Sequence, residues 1–326
     1  MKNLVVLLAA LGALVLRADP LTLTRTIPLP GMTGKLDHST VDRAGQRLFV
    51  SAWAQNAVVV VDLRAGKMLR TLDGMAAPQG VLYVPELGRL YVANEKDGTL
   101  RVLDGTTFAP IASLALGDDA DNIRYDAAAG RLYVGYEDGV LGVIDARRNT
   151  LIEKIPLAAH PEAFAVAPGA GRIVLNTPRS HDVTICARDT GRVIARWPLG
   201  ALEDNFTLAL DEADGRAFVG TRRPPFLLVL DLATGREIAR LPLHGNTDDF
   251  HYDAKRKRIY ASCGEGFIDV FAQTDADHYT LEAAVPTAAG GRTSAFDGDT
   301  IYLNVQSGAG QAPEVRCYAA KSRAGL

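Results

Sequence analysis

The sequence has few cysteines, little excess charge of either sign and no long apolar run after residue 16. Its formal net charge is -3 over 326 residues, so the excess of Lys and Arg typical of nucleic-acid-binding proteins is missing. The three cysteines, Cys186, Cys263 and Cys317, form no Cys-x-x-Cys pair. Their spacing does not identify a disulfide partner, and we expect buried free thiols.

The chain also lacks any Pro- or Gly-rich linker or low-complexity segment that would divide it in two, although it contains Gly 31 and Pro 16. Glycine and proline spread evenly along a chain indicate one architecture with many turns. We therefore predict a single domain over residues 19–326.

The N-terminus differs from the rest. Lys2 precedes an apolar run from Leu4 to Leu16, which is shorter than the ~20 residues of a membrane-spanning helix and has the length of a signal-peptide core. We predict a signal peptide over residues 1–18, with cleavage after Ala18 and export to the periplasm or beyond. An uncleaved membrane anchor is the alternative, and no membrane segment is expected elsewhere.

A short string recurs along the chain. Arg-Leu-Phe-Val and its relatives begin at residues 47, 89, 131, 172, 216, 258 and 300. Around each string lie four short runs rich in Val, Leu, Tyr and Phe, separated by Gly, Asp and Asn, which is the signature of strands joined by hairpins. A repeat of ~40–45 residues with four strands predicts a β-propeller blade, and seven repeats predict seven blades.

The two ends of the chain complement each other. The seventh repeat runs out without a fourth strand, whereas residues 22–29 match the fourth-strand pattern with no preceding strands. We predict that this N-terminal segment supplies the outer strand of blade 7, because pairing the termini removes an exposed sheet edge.

Most third strands end in aspartate, at Asp62, Asp104, Asp145 and Asp231, with a related Asp269. Aspartate at this position can accept backbone N–H groups and begin a turn. Because these aspartates recur from blade to blade, we interpret them as structural.

The blades resemble the YVTN repeat of YncE-like bacterial β-propellers, most plainly at residues 87–107 (LGRLYVANEKDGTLRVLDGTT) and 235–271. The Trp-Asp pair of WD40 repeats is absent. The resemblance covers residues 22–320 and implies an all-β, seven-bladed propeller that is exported. It implies no particular activity, since related propellers include single-stranded-DNA binders, partners of redox proteins, lactonases and lyases.

Aligning the repeats places one short polar segment of each blade at the start of its innermost strand, where the central channel opens. These segments are Asp37-His38, Gln79-Gly80, Asp121-Asn122, Glu162-Ala163, Asn205-Phe206, Asp248-Asp249 and Arg292-Thr293. Asp249 and His251 are two residues apart, so a strand turns both side chains to one face.

Three interpretations of this acidic ring remain open. Its side chains hydrate the channel; they bind a divalent cation such as Ca²⁺, which prefers oxygen ligands; or they bind a cationic small molecule or a partner protein. The metal candidates are Asp121, Glu162, Asp248 and Asp249.

We expect a monomeric scaffold that binds a small molecule or a protein at a channel mouth. A metal-dependent hydrolase or lyase of the lactonase kind is the main alternative, without identifiable catalytic residues, and single-stranded-DNA binding is the second. The basic turns at Lys255–Arg258 and Arg222–Pro225 fall in different hairpin classes, which argues against one nucleic-acid-binding patch.

Overall fold

The computed structural model of the chain describes residues 19–308 and 310–322, so the predicted signal peptide lies outside the described residues. The described chain forms strands almost throughout, with short 3₁₀ helices at Trp53–Gln55 and Pro178–Ser180.

The strands form seven four-stranded sheets. The first strand along the chain is β1 (Leu21–Pro28). Blade 1 contains β2 (Ser39–Asp42), β3 (Arg47–Ala52), β4 (Ala57–Asp62) and β5 (Lys67–Asp73). Blade 2 contains β6 (Pro78–Val84), β7 (Arg89–Asn94), β8 (Thr99–Asp104) and β9 (Pro110–Ala115). Blade 3 contains β10 (Ile123–Asp126), β11 (Arg131–Tyr136), β12 (Val140–Asp145) and β13 (Thr150–Pro156).

The remaining blades repeat this plan. Blade 4 contains β14 (Phe164–Ala167), β15 (Arg172–Thr177), β16 (Asp182–Ala187) and β17 (Val193–Pro198). Blade 5 contains β18 (Thr207–Asp211), β19 (Arg216–Arg222), β20 (Pro225–Asp231) and β21 (Glu237–Pro242). Blade 6 contains β22 (Thr247–Asp253), β23 (Arg258–Cys263), β24 (Phe267–Gln273) and β25 (Tyr279–Pro286). Blade 7 contains β26 (Thr293–Phe296), β27 (Thr300–Val305) and β28 (Glu314–Ala320).

The seventh sheet closes the ring. Its strand order is β1-β28-β27-β26, and β1 runs antiparallel to β28 from Leu21 opposite Ala320 to Pro28 opposite Glu314. The predicted seven-bladed propeller and its closure by the N-terminal strand are therefore confirmed.

The hydrophobic core of the described chain lies between the blades, as one cluster for each pair of neighbours. In β4, Val59 and Val61 pack toward blade 7, whereas Val58 and Val60 pack toward blade 2. Side chains of a strand alternate between its faces, so a strand covered on both faces reads as an unbroken apolar run. This explains the Val-Val-Val-Val sequence.

The aspartates that end the third strands begin turns, as interpreted. Oδ1 of Asp104 accepts the backbone N–H groups of Thr106 and Thr107 at 2.9 and 2.7 Å, and Asp231 repeats this with Ala233 and Thr234. Asp269 differs because it lies inside β24, where its carboxylate accepts from the backbone and ring of His244.

The outer strand of every blade contains a β-bulge opposite the third strand. The extra residues are Leu69, Ile111, Ile152, Ile194, Ile238, Glu282 and Thr24. Four of them are large aliphatic side chains that remain exposed, among them Ile152 at 52%. A bulge bends an edge strand and interrupts its pairing face, so the rim of the propeller is a poor template for further strands.

The three cysteines are buried and unpaired, as expected. Burial raises the pKa of the Cys186 and Cys263 thiols to about 12 and that of Cys317 to about 11. They are therefore protonated, unreactive core residues at neutral pH.

Candidate functional site

One end of the ring collects the segments that join successive blades. Each segment leaves an outer strand and enters the innermost strand of the next blade, so its last residues surround the channel opening. The residues that line a cavity of about 140 Å³ there are Lys35, Asp37, His38, Gln79, Asp119, Asp121, His160, Glu162, Phe206, Arg222, Asp248 and Arg292. Every blade contributes to this cavity, which we call the mouth cavity.

A larger cavity of about 500 Å³ occupies the channel itself and shares His38 and Asp248 with the mouth cavity. Among the predicted site residues, Asn122, Asp249 and His251 line this channel cavity. The structure thus places ten of the eleven predicted residues on one of two adjoining cavities.

Asn205 is the exception. Its side chain is fully buried and donates to the backbone oxygen of Asp182 at 2.9 Å and to Oδ1 of Asn176 at 3.2 Å. It lines neither cavity. Asn205 therefore fixes the connection between blades 4 and 5. Alignment of the seven repeats could not distinguish this structural role from a role at the channel mouth.

His38 lies where the two cavities meet, among three carboxylates. Its Nδ1 is 3.5 Å from Asp249, and its Nε2 is 3.9 Å from Asp37 and 4.0 Å from Asp121. Burial alone would lower the pKa of His38, but these carboxylates raise it to about 10. His38 is therefore an imidazolium at neutral pH and provides a fixed positive charge at the centre of the site.

Asp249 and His251 both line the channel cavity but differ in charge. Oδ2 of Asp249 accepts the backbone N–H of Ser294 at 2.8 Å. Burial would raise the pKa of Asp249, but charged His38 holds it below its usual range. Burial lowers the pKa of His251, whose Nε2 lies 2.9 Å from Ser294 Oγ. The predicted same-face pair is thus an ionised aspartate beside a neutral, hydrogen-bonded histidine.

Asp248 is held by two arginines. Its oxygens lie 2.7 Å from Nη2 of Arg222 and 2.9 Å from Nε of Arg292. The Arg222 guanidinium also stacks over the ring of Phe206, 3.9 Å from its centroid. Both carboxylate oxygens of Asp248 are therefore engaged, which leaves little capacity for a metal ion.

A second group of side chains is less completely paired. Single ligand atoms of Asp121, His160 and Glu162 lie within 4.8 Å of one another. Burial and neighbouring carboxylates raise the pKa of Asp121 and of Glu162 to about 7. Two carboxyl groups poised near neutrality beside an imidazole can exchange protons or share a cation.

Sequence reasoning missed Lys35, His160 and Arg222 as mouth residues. Lys35 and His160 lie two positions before Asp37 and Glu162, just as Asp119 precedes Asp121. An extended segment turns residues i and i−2 to the same side, so this alternation is the signal that could have found them. Arg222 ends β19 and reaches the cavity from a different connection, for which the repeat gives no signal.

The two basic turns do not form one surface. Lys255–Arg258 joins the first and second strands of blade 6, whereas Arg222–Pro225 joins the second and third strands of blade 5, so they lie at opposite ends of the ring. The basic side chains of the first turn are ion-paired with Asp299, Asp253, Asp214 and Glu282.

Among the described residues, no helix has the length and apolarity needed to cross a bilayer. No family model matches the chain, and no curated protein matches it.

Solved structures, in contrast, resemble the whole ring. A chain of Kuenenia stuttgartiensis hydrazine synthase is 20% identical, with 84% of this chain and 94% of that chain covered and a TM-score of 0.72. A chain of the mitotic checkpoint complex is 14% identical, with 98% of each chain covered and a TM-score of 0.76. The WD40 repeats of RRP9 are 11% identical, with 93% and 98% covered and a TM-score of 0.77. At these identities the likeness is one of fold, and it supports a seven-bladed β-propeller.

Proposed function

We propose that this protein is an exported propeller of the YVTN-repeat type that binds a cationic ligand at the channel mouth. The observation that carries the proposal is the convergence of side chains from all seven blades on one small cavity, with a charged side chain from every blade except blade 2, which contributes Gln79. Burying charge is costly unless each group is paired. Because the inter-blade core already stabilises the ring, these charged groups are better explained by ligand binding than by stability.

The charge balance of the mouth favours a cation. Its lining contains five carboxyl groups, Asp37, Asp119, Asp121, Glu162 and Asp248, against four cations, Lys35, Arg222, Arg292 and protonated His38. Asp121 and Glu162, whose pKa is raised to about 7, are only partly ionised at neutral pH and become fully ionised when a cation binds beside them. Asp249 adds a further negative charge in contact with His38. A positively charged group entering the cavity would neutralise this excess where solvent screening is weak.

The ligand is either a small cation or a basic side chain of a partner protein. A propeller of similar fold comes from the mitotic checkpoint complex, where it belongs to a protein assembly. A partner that inserts Lys or Arg into the mouth would use the same recognition chemistry as a small organic cation.

Export is the second part of the proposal and depends on the apolar run from Leu4 to Leu16. Cleavage after Ala18 would leave the closing strand β1 near the new N-terminus.

The hydrolase or lyase and the single-stranded-DNA binder stay hypotheses. Of these, DNA binding has the least support, because the basic turn at Lys255–Arg258 is neutralised within the protein.

Calorimetric titration tests the mouth site. We expect the purified protein to bind at least one of putrescine, arginine and a panel of divalent metal ions. Binding should weaken by at least ~10-fold in Asp37→Asn, which removes one negative charge from the lining. Asp189→Asn, an exposed carboxylate at the other end of the ring, is the matched control and should bind as the wild type does.

Failure of every probe to bind the wild-type protein would overturn the proposal. So would binding that is unchanged in Asp37→Asn and lost in Asp189→Asn, because that result places the cation at the opposite end of the ring.

A further inference from the structure

We propose that Asp121, His160 and Glu162 bind a divalent transition-metal ion at the channel mouth. This inference rests on the proposed mouth site and names the ligand class of that site. The three residues lie on two successive inter-blade connections, at the entrances to blades 3 and 4.

Asp121 provides the first argument, because it is an incompletely satisfied buried carboxylate. It is 6% exposed, and its Oδ2 accepts from Nδ2 of Asn122 at 3.2 Å. Its Oδ1 is buried without a hydrogen-bond partner, and the nearest cation, His38 Nε2, is 4.0 Å away. Leaving a buried charged acceptor unpaired is costly, and a metal ion in the mouth cavity would satisfy it.

His160 provides the second argument, because its ring is oriented as metal-binding histidines are. Its Nδ1 lies 2.7 Å from the backbone oxygen of Glu137, which can only accept, so Nδ1 carries the proton. Nε2 then keeps the lone pair that a metal requires. A histidine whose second nitrogen donates to a carbonyl is the usual outer arrangement of a metal site, and His160 is only 5% exposed.

The geometry is close to that of a bound site. Ligand atoms of the three residues lie within 4.8 Å of one another. Ligands ~2.1 Å from a common ion lie at most ~4.2 Å apart, so metal binding requires the side chains to move closer only where a pair exceeds that distance. Three protein ligands also leave a coordination position open for water or for a further ligand group.

The donor set selects the kind of metal. One imidazole with two carboxylates suits Zn²⁺, Mn²⁺ or Fe²⁺ better than Ca²⁺, which takes oxygen ligands in larger number. The two other aspartates considered from the sequence are occupied, Asp248 by Arg222 and Arg292, and Asp249 by His38 and Ser294. The site therefore differs from the calcium site that the sequence suggested.

Titration calorimetry with ZnCl₂, on protein first treated with chelator, tests the assignment. We expect one Zn²⁺ per chain, with the affinity lowered by more than the ~10–100-fold typical of an outer partner in Glu162→Gln, Asp121→Asn and His160→Asn. Glu162→Gln and His160→Asn are chosen to preserve the fold. Gln has the same shape as Glu, and Asn retains an N–H donor toward the backbone oxygen of Glu137. Each variant is first checked for wild-type circular dichroism and thermal unfolding without metal.

A matched control guards against adventitious binding to surface histidine. His278 is exposed beside Asp275, so His278→Ala should leave the affinity for Zn²⁺ unchanged. Loss of binding in His278→Ala, with binding retained in His160→Asn, would overturn the proposal. The visible spectrum of bound Co²⁺ supplies a second readout, which should change in His160→Asn because a nitrogen ligand is lost.

The remaining outcomes are also decisive. Preference for Ca²⁺ over Zn²⁺, insensitive to His160→Asn, would overturn the assignment of His160. No metal binding, together with putrescine or arginine binding that depends on Asp37, would overturn this inference and leave the proposed function intact. Absence of both kinds of binding would overturn both proposals.

Discussion

At the residue scale, the side chains of the channel mouth are held by partners from other blades, as Asp248 is by Arg222 and Arg292. Aligning seven similar units identified Asp37, Asp121 and Glu162 as neighbours at the channel mouth, because equivalent positions of a ring converge on its axis. The same alignment could not show that Asp248 pairs with Arg222, which belongs to a different blade. Such pairs depend on side-chain reach across an interface, for which sequence spacing contains no rule.

An ion pair between blades 3 and 4, which joins the buried Asp126 to the half-buried Arg188, contributes to the stability of the protein. Asp126 ends β10, and its two oxygens accept from Nε and Nη2 of Arg188 at 2.5 and 2.7 Å. Burial would raise the pKa of Asp126, but Arg188 and the N–H of Ala129 hold it below its usual range. A depressed pKa means that the pair stabilises the protein above the unfolded value of ~3.9 and ceases to do so as the pH falls through the folded value.

We therefore expect Asp126→Asn to lower the free energy of unfolding by roughly 2 kcal/mol at pH 7, and by progressively less as the pH falls below about 4. Urea unfolding of both proteins between pH 7 and pH 3.5 measures this difference. Asp189→Asn, at an exposed position, should show little effect at any pH. A difference that stays constant across the range would show that the lost stability is unrelated to ionisation of Asp126.

At the element scale, four-strand blades and their order follow from sequence, because strands covered on both faces give apolar runs bounded by turn residues. In the first repeat, the strand-like runs at residues 38–41, 47–53, 57–63 and 67–72 begin and end within one residue of β2 to β5. The bulges of the outer strands could not be predicted in this way. A bulge changes only which residues face each other across two strands, and it leaves the apolar pattern of each strand intact.

Strand β13 offers a matched pair of residues for measuring what its two faces contribute. Ile155 is 3% exposed and packs between blades 3 and 4, whereas Ile152 is the bulge residue and is 52% exposed. We expect Ile155→Ala to cost about 2–5 kcal/mol of unfolding free energy, because it leaves a cavity in the core. Ile152→Ala should change it by no more than about 0.5 kcal/mol.

Denaturant unfolding of the two variants under identical conditions provides the comparison. Equal losses would contradict the orientation of β13, since a strand shifted by one residue would exchange its buried and exposed faces.

At the scale of the whole molecule, stability depends on the ring being closed. Strand β1 buries Leu21 and Ile27, at 2% and 0% exposure, against blade 7 and its neighbours. Complete burial of such a side chain stabilises by about 1.5–3 kcal/mol, and removal of the strand also exposes the edge of β28. This closure could be predicted from the sequence, because the seventh repeat lacks a fourth strand and residues 22–29 have the pattern of a fourth strand without the preceding three.

Deletion of residues 19–30 should therefore be severely destabilising, with loss of a cooperative thermal transition or association through the exposed edge. Differential scanning calorimetry and size-exclusion chromatography measure these effects. Leu23→Ala, at a site in the same strand that is 47% exposed, is the control and should unfold as the wild type does. A deletion variant that remains monomeric and unfolds cooperatively near the wild-type temperature would disprove the role of β1.

The pairing of β1 with β28 also determines when the protein can finish folding during its synthesis. Thr24 and its partner Cys317 are 293 residues apart, so the first strand made is among the last to find its place. At ~5–20 residues per second, the ribosome needs roughly 15–60 s to make the intervening chain. Throughout that time the nascent chain has an unpaired N-terminal strand and no closed ring, which is the form in which it is open to chaperones.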